Sequence, residues 1–133
     1  MKATLKINNK EYKVISSEIK YVDATCNNKK GFSLLVNIDI ELNNIKGYIS
    51  FFVDYFNEKQ YKSIENKKYI ELPTNLNSKI DMIEIFDTQE FIDFIDSTVV
   101  VEFGKIVNNN IEVKIIIDDE KIKVDYQGLM NIK

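Results

Sequence analysis

The 133-residue chain contains no histidine and no tryptophan, and all 18 of its basic residues are lysine rather than arginine. Without histidine there is no Ser–His or Cys–His nucleophile pair and no imidazole metal ligand. Without arginine there is no bidentate guanidinium clamp for phosphate or carboxylate. Cys26 is the only cysteine, which excludes an intrachain disulfide and a thiolate metal cage. A reactive thiol there would need an electropositive setting, for which Lys29 and Lys30 are the near neighbours in sequence. The simpler reading is a small strand-end side chain. The missing arginine, with a surplus of Ile and Asn, is the mark of an AT-rich coding genome rather than of a functional demand.

Glycine is scarce and scattered, at 31, 47, 104 and 128, and Pro73 stands alone. Four dispersed glycines exclude a phosphate-cradling loop and a dinucleotide fingerprint. Asp118-Asp119-Glu120 lacks the alternate oxygen ligands and central glycine of a calcium loop and reads as a solvated turn. The net charge of −3 gives no support to nucleic-acid binding, where phosphate contacts dominate affinity. The pairs Lys29-Lys30 and Lys67-Lys68 fall short of a basic stripe. No apolar run approaches bilayer length, and the opening residues lack the apolar core of a signal peptide. A cytoplasmic protein with no membrane partner, cofactor or metal is the expectation.

The clearest pattern present is Phe32–Leu42, in which every even position is apolar and Ser33, Asn37, Asp39 and Glu41 fill most of the odd ones. That period of two is the mark of a half-buried strand. Further strands are expected near 2–7, 11–15, 17–25, 46–55, 68–72, 79–85, 99–105, 111–118 and 121–126. With so little glycine and proline, the turns fall to Asn8-Asn9, Asn27-Asn28, Asn43-Asn44 and Asn108-Asn109-Asn110. Asparagine tolerates the left-handed backbone that tight hairpins need.

Two segments depart from plain alternation. In 46–55 and the adjoining Phe56 both faces are apolar, with Ile49, Phe51, Val53 and Tyr55 on one side and Tyr48, Phe52 and Phe56 on the other, so cover is expected on both. In 88–95, Phe91, Ile92, Phe94 and Ile95 share one side at helical spacing, and Asp87 with Glu90 resembles an N-cap and its box partner. A short helix is expected there as that cover, with another helical turn in 57–65 that points Tyr61 and Ile64 inward. The predicted fold is all-β and mostly antiparallel. It is one domain over 1–133, a β-barrel or two-layer β-sandwich of about eight or nine strands with one or two short helices.

The opening Lys2–Val14 strand–turn–strand pattern loosely resembles, over about a dozen residues, the first hairpin of the secreted tube proteins of contractile injection systems. That resemblance implies a β-barrel carrying a helix and assembling into rings.

For chemistry, Asp39 and Glu41 share a strand face two residues apart, but acid–base work would require a desolvated pocket. The wet face of a sheet is the simpler reading. Seven Tyr and eight Phe could line an apolar-ligand cavity, yet most fall in phase with the core pattern. One charge pattern rises above background. Asp81, Glu84, Asp87, Glu90, Asp93 and Asp96 recur every three residues with no lysine among them. That window carries −6, and the remaining 18 basic and 15 acidic residues carry +3. Glu84, Asp87, Glu90, Asp93 and Asp96 are therefore the candidate partner-binding residues, facing a protein with a basic surface. The leading expectation is a non-enzymatic inhibitor-, immunity- or adaptor-type interaction module using this acidic helical segment. The alternatives are a structural protein forming homo-oligomeric rings or tubes, and a small barrel enclosing an apolar ligand.

Overall fold

A computed structural model describes residues 3–71, 80–86, 91–93, 98–118 and 122–133. It is all-β. Among the described residues, ten strands form one sheet: β1 Thr4–Ile7, β2 Lys10–Cys26, β3 Lys29–Leu42, β4 Ile45–Phe56, β5 Lys68–Glu71, β6 Ile80–Phe86, β7 Phe91–Asp93, β8 Thr98–Val107, β9 Asn110–Asp118 and β10 Lys123–Ile132. Their order is β5-β8-β9-β10-β1-β2-β3-β4-β6-β7. All neighbours in that order are antiparallel, and one short parallel contact adds Asn131 and Ile132 of β10 to Glu18 and Ile19 of β2.

Four hairpins close on the same two residues. Asn8-Asn9, Asn27-Asn28, Asn43-Asn44 and Asn108-Asn109 all have positive φ, between 49° and 66°. Two consecutive left-handed residues make the type I′ turn, whose twist matches that of the strands it joins. Asparagine therefore does here what glycine does elsewhere, and the expected turns stand where the sequence places them.

The sheet curls like a barrel wall because its strands carry bulges, each adding local twist and reversing the phase of the side chains. In β2, Val14 pairs with Ile40 and Ser16 with Asp39, so Ile15 is the extra residue, 46% exposed. Before it Tyr12 points inward; after it Ile19 and Tyr21 do. The phase reversal makes one 17-residue strand look like two in the sequence, 11–15 and 17–25. In β4, Phe32 pairs with Phe56 and Leu34 with Val53. Asp54 takes the left-handed conformation there, with φ 55°. A third bulge lies in β8 between Phe103 and Ile106.

The concave side holds the core. Leu34, Val36, Ile38 and Ile40 of β3, Ile49, Phe51 and Val53 of β4, Val99, Val101 and Phe103 of β8, and Ile111, Val113, Ile115 and Ile117 of β9 are all buried. Their strands alternate buried and exposed as period two requires. Tyr126 is fully buried, and its hydroxyl donates to Ser17 Oγ at 2.9 Å. A 3₁₀ turn, Tyr61–Ile64, packs buried Ile64 and half-buried Tyr61 against this core, in agreement with the helical turn expected in 57–65.

The helix expected over 88–95 is corrected. Phe91–Asp93 is a strand, paired so that Phe91 faces Phe86 and Asp93 faces Glu84. Backbone pairing to β6 overrides the local helical spacing. The rest of that segment, including Asp87, Glu90 and Asp96, lies outside the described residues. On the second face of β4, Tyr48 and Phe52 are half-buried, and the segment expected to cover them lies mostly outside the described residues. Phe56, expected on that face, instead packs against the core beside Tyr21, because the bulge at Asp54 reverses the phase of the strand.

Candidate interaction edges

β2 and β3 are the longest strands; β4 flanks β3 as far as Phe32, and the far half of β2 with Lys29–Gly31 of β3 forms an arm. The near part of β2 pairs with β1, from Lys10 to Tyr12, and then with β10 at Glu18 and Ile19. The Lys133 amide donates to the Ile19 carbonyl at 2.9 Å, which fixes the direction of the polar groups. Because successive residues of a strand alternate, Tyr21, Asp23 and Thr25 aim their N–H and C=O to the same side as Ile19. Lys20, Val22 and Ala24 aim theirs at β3. Among the described residues, no strand pairs with β2 on that outer side beyond Ile19. Among the described residues this leaves an open backbone edge inside the strand order rather than at its end.

An aromatic cluster roots the arm. The Tyr21 ring lies 5.3 Å from Phe56, 6.4 Å from Phe32 and 4.7 Å from Tyr61, the first two edge to face as ring quadrupoles favour. Its hydroxyl donates to the Gln60 carbonyl at 2.8 Å, and burial raises its pKa. The Tyr61 hydroxyl donates to the Lys133 carbonyl at 2.7 Å. Lys59 Nζ sits 5.0 Å from the centre of Phe32, within cation–π range. Gly31 is required at the base of the arm, because a Cβ there would meet the Tyr55 hydroxyl and, at 2.6 Å, the Phe56 carbonyl oxygen. Beside the open edge lies a depression of about 430 Å³, lined by Asp23, Ala24, Thr25, Lys30, Gly31 and Phe32.

Tyr69 of β5 joins this end of the molecule through Asp54. Its pKa is pushed up to about 12, first by burial, then by the charge of the Asp54 carboxylate that its hydroxyl bonds. Asp54 also receives the Tyr55 amide at 2.8 Å, and its carbonyl accepts from Ser33 Oγ at 2.8 Å. These bonds hold the left-handed bulge residue in place.

The second edge is β7, the last strand in the order. Its register brings Asp93 opposite Glu84, which in turn stands opposite Ser50 of β4. Of the five acidic positions singled out in the sequence, the structure therefore brings these two together at an edge.

The other carboxylates considered from the sequence are occupied on the half-exposed convex face. Asp39 accepts from Ser16 Oγ at 2.9 Å and from Asn37 Nδ2 at 3.3 Å. Glu41 lies 3.9 Å from Lys13 Nζ. Cys26 is free and exposed at the strand end. Among the described residues, no group of three or more His, Cys, Asp or Glu could hold a metal ion, and no helix is long and apolar enough to cross a membrane.

The open β2 edge was missed in the sequence, because alternation reports faces and not edges. Its nearest signal is a length mismatch: β2 runs past β1 and β10, which reach it only as far as Ile19. Comparison with protein-family models, curated proteins and solved structures returned no match.

Proposed function

We propose that this chain is a non-enzymatic protein-interaction module that captures a basic partner through the acidic β6–β7 edge. The observation that carries this reading is the register of Glu84 against Asp93, within a window of six acidic residues and no lysine. Like charges directly opposite in a sheet destabilise it by roughly 0.2–1 kcal/mol. A cationic partner strand or loop would relieve that repulsion and would be steered in by the field of the whole segment. A non-enzymatic role is favoured by Asp39 and Glu41, which are held on the convex face by Ser16, Asn37 and Lys13. An apolar-ligand carrier is disfavoured by an interior filled with side chains such as Phe51, Phe103 and Tyr126. We read the curl as a barrel wall rather than one half of a sandwich, in one domain.

The test is the variant Glu84→Gln with Asp93→Asn. We expect unchanged or slightly raised thermal stability and loss of salt-sensitive capture of basic proteins. Full retention of capture would remove the acidic edge as the binding surface.

A further inference from the structure

We propose that the basic partner is a second copy of this chain, whose β2 edge, open among the described residues, receives the β7 edge of its neighbour. The inference rests on the preceding reading that the acidic edge binds. It adds an independent observation, the run Tyr21, Asp23, Thr25, whose three outward N–H and C=O pairs meet no strand among the described residues.

An unpaired strand edge is a template for another strand, and main-chain bonds supply affinity in such strand addition. Charge selects the occupant. Residues 20–30 hold Lys20, Lys29 and Lys30 against Asp23, a net of +2, whereas 81–96 holds −6. Lys30, Thr25 and Asp23 line the depression beside the edge, so one cation, one carboxylate and a hydroxyl flank the place where a strand would lie, and Lys20 and Lys29 give the segment its positive balance. One molecule thus carries both halves of a complementary contact: an acidic terminal strand, and a basic internal edge. The two lie at different positions in the strand order, so the contact is heterologous, and repeated copies build a closed ring or an open chain.

The experiment is size-exclusion chromatography with light scattering at low and moderate salt, over roughly a hundredfold range of concentration. We expect a discrete oligomer at low salt that shifts towards monomer as charges are screened. Thr25→Pro removes an N–H from the open side only and is tolerated at such a position. It should give monomer with a melting temperature close to that of the parent. Lys29→Glu with Lys30→Glu should also give monomer, and adding Glu84→Lys with Asp93→Lys should restore the oligomer. A parent that is monomeric throughout yet still captures basic proteins would overturn self-addition and leave the acidic edge standing. An oligomer untouched by both Thr25→Pro and the charge reversals would overturn self-addition by these edges. Loss of capture and of assembly in none of the acidic-edge variants would overturn both readings.

Discussion

Strand β9 and the last six residues of β2 are made of the same kind of chain, yet they meet different neighbours. β9 alternates buried and exposed residues along its whole length and pairs with β10 on one side and β8 on the other. The far part of β2, Tyr21–Cys26, pairs with β3 alone among the described residues. Both enter hairpins with identical Asn-Asn turns. Local sequence therefore specifies strand and turn equally well in the two places. What differs is the number of occupied edges, and that is decided by strands far away in the chain. β1 is only four residues long, and β10 reaches β2 only at Glu18 and Ile19.

A charge placed in each of the two strands should separate them most. Ile115 is fully buried in β9, and Ile115→Asp should prevent folding, since an unpaired carboxylate in the core costs several kcal/mol. Thr25→Asp in the arm should change stability by no more than about 0.5 kcal/mol. Urea denaturation of both variants checks the contrast, and a cooperative Ile115→Asp transition near the parent midpoint would refute the assigned core face.

Hydroxyl deletions sharpen the same contrast on a smaller scale. Tyr126→Phe removes the bond to Ser17 inside the core and should cost about 1 kcal/mol. Tyr55→Phe removes an exposed bond to the Lys29 carbonyl near the tip of the arm and should cost less than about 0.5 kcal/mol. Equal losses would place the arm in the same cooperative unit as β9.

Alkaline titration probes the tyrosines between those regions. Tyr69 is held protonated in the folded state up to about pH 12, while the unfolded side chain ionises near its ordinary value of 10.0. Because the folded pKa is the higher one, stability is fully present below pH 10 and falls as pH rises towards 12. Tyr69→Phe should flatten that decline in urea midpoints measured across this range. An unchanged slope would mean that Tyr21, Tyr61 and Tyr126, whose pKa values burial also raises, carry the effect.

The smallest expected effect is on the convex face of the other end of the sheet. Ile70 and Ile116 are 50% and 38% exposed, and Val100 stands between them in register. Ile70→Lys with Ile116→Lys should leave stability within about 0.5 kcal/mol and oligomeric state unchanged by light scattering. Loss of assembly in this variant would move the interface away from the arm.

The sequence made the hairpins legible, because an Asn-Asn pair between alternating runs carries its own backbone preference. It made the core faces of β3, β8 and β9 legible for the same local reason. It misled at Ile15, where one extra residue reversed the phase of β2, and at Phe91–Asp93, where pairing with β6 outweighed helical spacing. The acidic window was visible as composition, but the opposition of Glu84 to Asp93 needed the register. The open edge left no sequence trace beyond strand length, since an edge is defined by what fails to lie beside it.

Residue-resolved amide hydrogen exchange on the dilute protein tests the open β2 edge most directly. The Asp23 and Thr25 amides are expected to exchange at nearly unprotected rates, while those of Val22 and Ala24 are slowed by β3 and those of Val113 and Ile115 are slowed most. Asp23 and Thr25 are also expected to gain protection when the protein is concentrated at low salt. Asp23 and Thr25 amides as protected as those of β9 in the monomer would contradict the open β2 edge, because that edge would already be filled.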